Sequence, residues 1–205
     1  MPKPSHLTRC GLPGIDRVPL GMHACHFYSD CDQLVAALVP YYVAGLRGNE
    51  RCLWVTAPPL SEREAVKALR TAWEDVDGAI QTGALCILDL AQLKGRDVVQ
   101  LWLEEEERAL ADGYHGLRIG GNLNCSTRED SSTSMGYGQA VTERFNRRRI
   151  VTLCSYALAQ CSDQQMREAM HAHHCVLERL DTDWHVLALP QLAAGLRPDE
   201  VGSGS

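Results

Sequence analysis

The chain has 205 residues, 45% of them hydrophobic, and a formal net charge of −6. That length suits one domain with a full core, and the negative charge provides no basic field for a phosphate backbone, so direct nucleic-acid binding is not expected. No apolar run approaches the ~20 residues of a membrane helix, and the first residues lack the apolar core of a signal peptide. We therefore expect a cytoplasmic protein that does not associate with membranes.

The nine cysteines are irregularly spaced and odd in number, which is not typical of a secreted disulfide framework. They are predicted to be mostly reduced thiols. Cys52, Cys86 and Cys154 lie inside apolar runs and are interpreted as core residues.

Residues 1–20 are predicted to form an irregular arm because prolines and glycines recur there. A first strand over residues 21–28 follows. Its alternation separates two sets of side chains, with His23, Cys25 and Phe27 on one face and Ala24, His26 and Tyr28 on the other. One face therefore carries a thiol two residues from an imidazole, a pair that simple burial in a core also explains.

Helices and strands then alternate along the chain. Ser29-Asp30 is predicted to cap a helix that ends at Gly45, and Ser61 and Ser162 open capping boxes. The predicted elements that follow are strands at 51–57, 84–90, 116–120 and 150–156, helices that begin near 61, 97, 136 and 162, and a closing hairpin over 176–189.

This alternation predicts a single α/β domain over residues 21–190, with a mostly parallel central sheet flanked by helices and a C-terminal hairpin. Residues 191–205 are predicted to be a flexible tail, because the last five residues resemble a linker.

In such a sheet, ligands bind beyond the carboxyl ends of the strands. The segment after the first strand, Tyr28-Ser-Asp-Cys-Asp32, has no glycine or lysine to hold a phosphate and has two carboxylates that would repel it. Neither a dinucleotide fingerprint nor a Gly-x-Ser-x-Gly elbow is present. The sequence therefore predicts neither ATP as a cofactor nor enzymatic activity.

Metal or haem ligation is an alternative, since thiols and imidazoles suit zinc, copper(I), iron–sulfur clusters and haem iron. On a helix, His171 would share a face with His174 and Cys175, although a helix that ends near His173 would break that arrangement. Histidines at a helix C-terminus are also favoured by the macrodipole alone. The candidate metal ligands are Cys25, Cys125, Cys161, His171, His174 and Cys175.

A second alternative is a thiol redox switch. Cys125 follows Gly120-Gly121 in a polar loop and is the best candidate for an exposed thiol, while nothing in the sequence identifies a catalytic base for it. A disulfide between Cys125 and a neighbour such as Cys161 would provide such a switch.

Several motifs together resemble the MEDS domain, the sensory domain named for methanogens, methylotrophs and the dichloromethane-responsive regulator DcmR. The resemblance runs from Gly21 to about Leu180 and is carried, in order, by Gly21-Met-His-Ala-Cys-His-Phe-Tyr28, Pro40 to Thr56, Gly113-Tyr-His-Gly-Leu-Arg-Ile-Gly-Gly121, Glu143-Arg-Phe-Asn146, Val151-Thr-Leu-Cys-Ser-Tyr156 and His173.

The resemblance implies a RecA/KaiC-like fold that has lost its ATP-binding loop and that senses small molecules. It also implies an output through a regulatory protein such as a histidine kinase or a transcription factor, and the sequence leaves a homo-oligomer open. Two positions depart from the family pattern. Where the family has Gly-Glu and a tryptophan three residues after the glutamate, this chain has Gly121-Asn122-Leu-Asn-Cys125. Where the family has His-Pro, this chain has His173-His174-Cys175. Both departures favour a metal, haem or a thiol-reactive signal.

The leading hypothesis is therefore a non-catalytic sensory domain with a pocket for a small-molecule ligand at the strand ends. Its predicted walls are His23, Cys25, Tyr28, Cys125, Glu143, Tyr156 and His173.

Overall fold

The computed structural model of the protein describes residues 7–123 and 140–188. The strands are β1 (Leu7–Arg9), β2 (Arg17–Pro19), β3 (His23–Tyr28), β4 (Arg51–Thr56), β5 (Leu85–Asp89), β6 (Leu117–Leu123), β7 (Ile150–Ala157), β8 (Cys175–Leu180) and β9 (Asp183–Ala188). The helices are α1 (Cys31–Arg47), α2 (Glu62–Arg70), α3 (Val76–Gln81), α4 (Val98–Ala111), α5 (described over 140–145) and α6 (Asp163–Ala172).

The centre of the molecule is a seven-stranded sheet with the order β5-β4-β6-β7-β3-β8-β9. Its strands pair in parallel except at the end, where β8 and β9 form an antiparallel hairpin. The predicted α/β class, the mostly parallel sheet and the C-terminal hairpin are confirmed. Strand β3 lies between β7 and β8, which follow it by more than a hundred residues, and this placement creates the candidate site.

Helix α1 packs against one side of the sheet and is hydrogen-bonded to two of its strands. Asp30 caps it by accepting a hydrogen bond from the Gln33 N–H at 2.9 Å, and Pro40 lies inside the helix. The hydroxyl of Tyr41 reaches the carbonyl oxygens of Ile119 and Val151, each at 2.9 Å. The helix runs two residues past the predicted end at Gly45.

Both capping boxes are confirmed. Ser61 and Ser162 each accept a hydrogen bond from the backbone N–H of the third helical residue, and Glu64 and Gln165 accept from the two cap N–H groups. The short helix α3, capped by Asp75, was not predicted.

The N-terminal arm departs from the predicted irregular structure, because β1 and β2 pair as an antiparallel hairpin. The guanidinium of Arg118, fully buried, holds this arm against the sheet. It donates to the carbonyl oxygens of Arg9 at 2.7 Å and Cys10 at 3.2 Å, and it pairs with the Glu50 carboxylate at 2.6 Å. These contacts depend on a partner 108 residues away, so local patterns did not reveal them.

The sheet separates two cores. The side chains of Ala24 and Tyr28 pack in the core beneath α1, α2 and α3, and those of Leu53 and Ile119 pack in the core beneath α4 and α5. His23 and Cys25 alternate with Ala24 and point to the second side, as predicted.

Four consecutive glutamates, residues 104–107, lie on α4, and they are not all exposed to solvent. Glu106 is buried, accepts a hydrogen bond from the Arg149 N–H at 2.5 Å and pairs with the Arg148 guanidinium, which also contacts Glu107 at 3.1 Å. Arg148 and Arg149, which precede β7, therefore contact acidic residues of the same chain.

Candidate functional site

Three buried side chains from separate parts of the chain meet on the α5–α6 side of the sheet. They are His23 at the start of β3, Cys154 within β7 and His173, the C-cap residue of α6. One ligand atom from each lies within 4.8 Å of the others, and the side chains are 0%, 5% and 1% exposed, respectively. We call this cluster the β3–β7 site.

The position of His23 and Cys154 follows from strand pairing. In the parallel ladder, Cys25 is opposite Cys154 and His23 is opposite Thr152, so all four side chains point to the same face. The imidazole Nε2 of His23 lies 3.3 Å from the Cys154 Sγ, although 131 residues separate them in the sequence.

Thr142 on α5 orients the His23 ring. Its hydroxyl donates to the Ala172 carbonyl oxygen at 2.7 Å, so its oxygen is left to accept from the His23 Nδ1 at 3.0 Å. This assigns the ring proton of His23 to Nδ1. The Nε2 lone pair then points at Cys154.

His173 is held in the same tautomer. Its Nδ1 lies 2.6 Å from the Ala169 carbonyl oxygen, which can only accept, so Nδ1 carries the proton. Its Nε2 is buried and has no hydrogen-bond partner among the described residues. The two imidazole rings are 3.9 Å apart between centroids. One ring nitrogen of each histidine therefore lies close to the thiol of Cys154.

Burial keeps all three groups uncharged near neutral pH. Desolvation, aided by repulsion from His173 and His174, holds the pKa of His23 well below its ordinary value. Desolvation also lowers the pKa of His173 to about 4 and raises the pKa of Cys154 to about 12. The site contains two neutral imidazoles and a neutral thiol, a set of soft and borderline donors without a carboxylate.

Of the predicted pocket residues, the structure brings His23, Tyr156 and His173 together. The Tyr156 ring lies edge-on to the His173 ring at 5.9 Å, and Cys25 is buried beside Cys154 with its Sγ 3.7 Å from the Cys175 carbonyl oxygen. Because His23 begins β3, the cluster lies on a face of the sheet and not at the carboxyl ends of the strands.

The other predicted pocket residues lie elsewhere. Tyr28 is buried on the opposite face of β3, and Glu143 is exposed on α5. Cys125 is outside the described residues.

The predicted helical trio does not form. Helix α6 ends at Ala172, so His171, His174 and Cys175 do not share a helix face. His171 is exposed, Cys175 belongs to β8, and the His174 Nδ1 accepts a hydrogen bond from the His23 backbone N–H at 3.0 Å. Cys161 is disulfide-bonded, so in this state it is not a free thiol ligand.

The predicted site residues did not include two members of the site. Cys154 was interpreted as a core residue, and Thr142 was not singled out. The available signal was the alternation Thr152-x-Cys154, which matches His23-x-Cys25 in the partner strand. Only the strand order shows that the two patterns are neighbours.

The edge where a phosphate loop would lie is organised differently. The carboxylate of Asp30 occupies the N-terminus of α1, and Asp32 adds a second negative charge in the first turn. Asn122, at a departure from the resembled family pattern, uses its side-chain oxygen to accept from the Ala57 N–H at 3.1 Å. This amide ties the end of β6 to the segment after β4.

The family model of the MEDS domain, the methanogen/methylotroph, DcmR sensory domain, matches residues 22–174. The chain belongs to the MEDS family. The match contains all three residues of the β3–β7 site, and membership in a family of sensory domains suggests a role in sensing. The resemblance predicted from the sequence motifs is confirmed.

Two solved structures resemble the fold of this chain. The KaiC-like protein PH0186 from Pyrococcus horikoshii OT3 is 13% identical with a TM-score of 0.62, and the alignment covers 92% of this chain and 91% of that protein. The flagellar accessory protein FlaH from Methanocaldococcus jannaschii is 12% identical with a TM-score of 0.55, covering 85% and 81%. The MEDS domain here therefore has the predicted RecA/KaiC-like fold.

No curated protein matches the sequence significantly. Among the described residues, no helix combines the length and apolar character needed to cross a membrane.

Proposed function

We propose that this MEDS domain is a non-catalytic cytoplasmic sensor that binds its ligand at the β3–β7 site and relays occupancy to a regulatory protein. The observation that carries the proposal is the unpartnered Nε2 of His173 inside a buried polar cluster. A buried polar atom without a partner costs about 1–3 kcal/mol. A ligand that accepts this lone pair would recover that free energy.

The negative charges at the N-terminus of α1 support the proposal that the sensor does not bind a nucleotide. A phosphate would need the free N–H groups and the positive end of α1. Asp30 already accepts from one of those N–H groups, and Asp32 lies next to it. Repulsion from two carboxylates disfavours a triphosphate at this edge.

The route from ligand to partner runs through α5 and α6. Thr142 on α5 contacts both His23 and the Ala172 carbonyl oxygen at the end of α6. His173 follows α6 directly and is hydrogen-bonded to its last turn through Ala169. An occupant that draws the two rings together would shift α6 relative to β3, and a regulatory protein such as a histidine kinase or transcription factor would read that shift.

Native mass spectrometry tests ligand binding without assuming the ligand. Wild-type protein is purified without chelator, incubated with the low-molecular-mass fraction of a cell extract, and compared under native and denaturing conditions. We expect a non-covalent adduct on the wild type that is lost in His173→Ala and in His23→Gln. The control is His26→Asn, because His26 is a buried histidine on the opposite face of the same strand.

Two results would overturn the proposal. One is the absence of any adduct that depends on His23 or His173. The other is ATP hydrolysis that falls when Thr56, at the end of β4, is replaced.

A further inference from the structure

We infer that the β3–β7 site binds one thiophilic transition-metal ion through the Nε2 atoms of His23 and His173 and the Sγ of Cys154. This inference rests on the proposed function, because it names the class of ligand for the same site. Both imidazoles already have the tautomer that ligation requires, with the proton on Nδ1, and the three residues belong to β3, β7 and the C-cap of α6.

The outer hydrogen bonds match those of metal-binding histidines. Such histidines commonly donate their second ring N–H to a carbonyl or a hydroxyl, which fixes the ring and raises the basicity of the ligating nitrogen. Here the Nδ1 of His173 donates to the Ala169 carbonyl oxygen, and the Nδ1 of His23 donates to Thr142, whose own proton is engaged by Ala172. Neither ring can turn without losing its Nδ1 hydrogen bond.

The spacing of the donors also fits an ion. Tetrahedral zinc, with Zn–S about 2.3 Å and Zn–N about 2.0 Å, places sulfur and nitrogen about 3.5 Å apart. The Nε2 of His23 and the Sγ of Cys154 are 3.3 Å apart. One ligand atom from each of the three residues lies within 4.8 Å of the others, so movements on the order of 1 Å would bring the triangle to the spacing around an ion.

The chemistry of the donors selects the class of ion. Magnesium and calcium prefer oxygen ligands, and the cluster offers one sulfur and two nitrogens. Thiolate and imidazole suit copper and zinc, and a trigonal His₂Cys set is a familiar copper environment. When the metal binds, the Cys154 thiol releases its proton to solvent. The two neutral rings and the resulting thiolate then balance a univalent ion without residual charge, which favours copper(I) in a buried site. A divalent ion such as zinc would recruit a fourth ligand.

Cobalt(II) provides a direct probe of the thiolate. We expect anaerobic titration of the chelator-treated wild-type protein to saturate at one equivalent and to produce a sulfur-to-cobalt charge-transfer band with d–d bands. Added copper(I) or zinc should bleach these bands by displacement. Cys154→Ser should remove the charge-transfer band, while Cys52→Ala, which changes another buried free thiol, should retain it.

Thr142→Val tests the orienting hydrogen bond separately. Loss of such an outer contact typically weakens metal affinity 10–100-fold. We expect that weakening for cobalt while the charge-transfer band keeps its position, because Cys154 still ligates. Unchanged affinity would overturn the role assigned to Thr142, and far-ultraviolet circular dichroism would establish that each variant is folded.

The metal inference fails if folded wild-type protein takes up no cobalt, copper(I) or zinc, or if the charge-transfer band survives Cys154→Ser. An organic adduct lost in His173→Ala, together with no metal uptake, would overturn this inference and leave the proposed sensor standing. Absence of every adduct would overturn both.

Discussion

At the scale of single residues, burial decides what the histidines do. His26 resembles His23 in sequence, yet it points to the other face, lies 3.4 Å from the Ser155 hydroxyl and packs edge-on against Trp184 at 4.9 Å. Desolvation lowers its pKa to about 4. His26 is therefore a neutral core residue, which is the ordinary interpretation of a strand histidine.

This environment makes stability depend on pH. Between the ordinary pKa of about 6.5 and the folded value of about 4, the unfolded chain binds a proton at His26 that the folded chain does not. The contribution of His26 to the free energy of unfolding is fully present above pH 6.5. Below that pH it falls by about 1.4 kcal/mol per pH unit.

Urea unfolding at pH 7 and pH 5 measures this dependence. His26→Asn should lower stability at both pH values through altered packing, but the difference between them should shrink by about 2 kcal/mol. An identical pH difference in the wild type and the variant would contradict the assignment.

At the scale of elements, local signals predicted the starts of α1, α2, α4 and α6 but not the close packing of strands. The capping boxes at Ser61 and Ser162 required only side chains three residues apart, and both are confirmed. Gly121 in β6 shows the opposite case. A Cβ at Gly121 would lie 1.9 Å from the Val55 carbonyl oxygen, so the strand requires glycine for its approach to β4.

Gly121→Ala should therefore be strongly destabilising, by several kcal/mol, because backbone atoms must move to admit one methyl group. Gly48→Ala is the control, since its nearest contact is 3.2 Å and its φ of −84° suits any residue. Chemical denaturation should separate the two variants. A Gly121→Ala protein as stable as Gly48→Ala would refute the predicted clash.

At the scale of the whole molecule, Arg118 connects the N-terminal arm, α1 and the sheet. Its side chain donates to carbonyl oxygens of Arg9, Cys10 and Tyr41 and pairs with Glu50, and both charged groups are buried. Removing one partner of a buried ion pair leaves the other uncompensated, at a cost of about 3–5 kcal/mol.

Arg118→Met should destabilise the protein by that amount and release the arm. Cys10, a fully buried free thiol in the arm, reports the release through its rate of reaction with a thiol reagent. Adding Glu50→Gln should restore part of the stability, because it removes the buried negative charge that has lost its Arg118 partner. Unaltered Cys10 reactivity in Arg118→Met would show that other contacts hold the arm.

The sequence by itself determined the α/β class, most element boundaries and the MEDS family. These follow from periodicity, capping residues and local motifs, which act over a few neighbouring residues. It also identified His23 and His173 as candidates for a common site.

Only the tertiary structure decided which thiol joins them. Cys25 is two residues from His23, yet the ladder that places β7 beside β3 brings Cys154 to 3.3 Å from the ring. The end of α6 at Ala172 separates His173 from His171 and turns it toward the sheet. Strand order and helix ends are set by packing across the whole chain, so no pattern within one segment could have revealed this convergence.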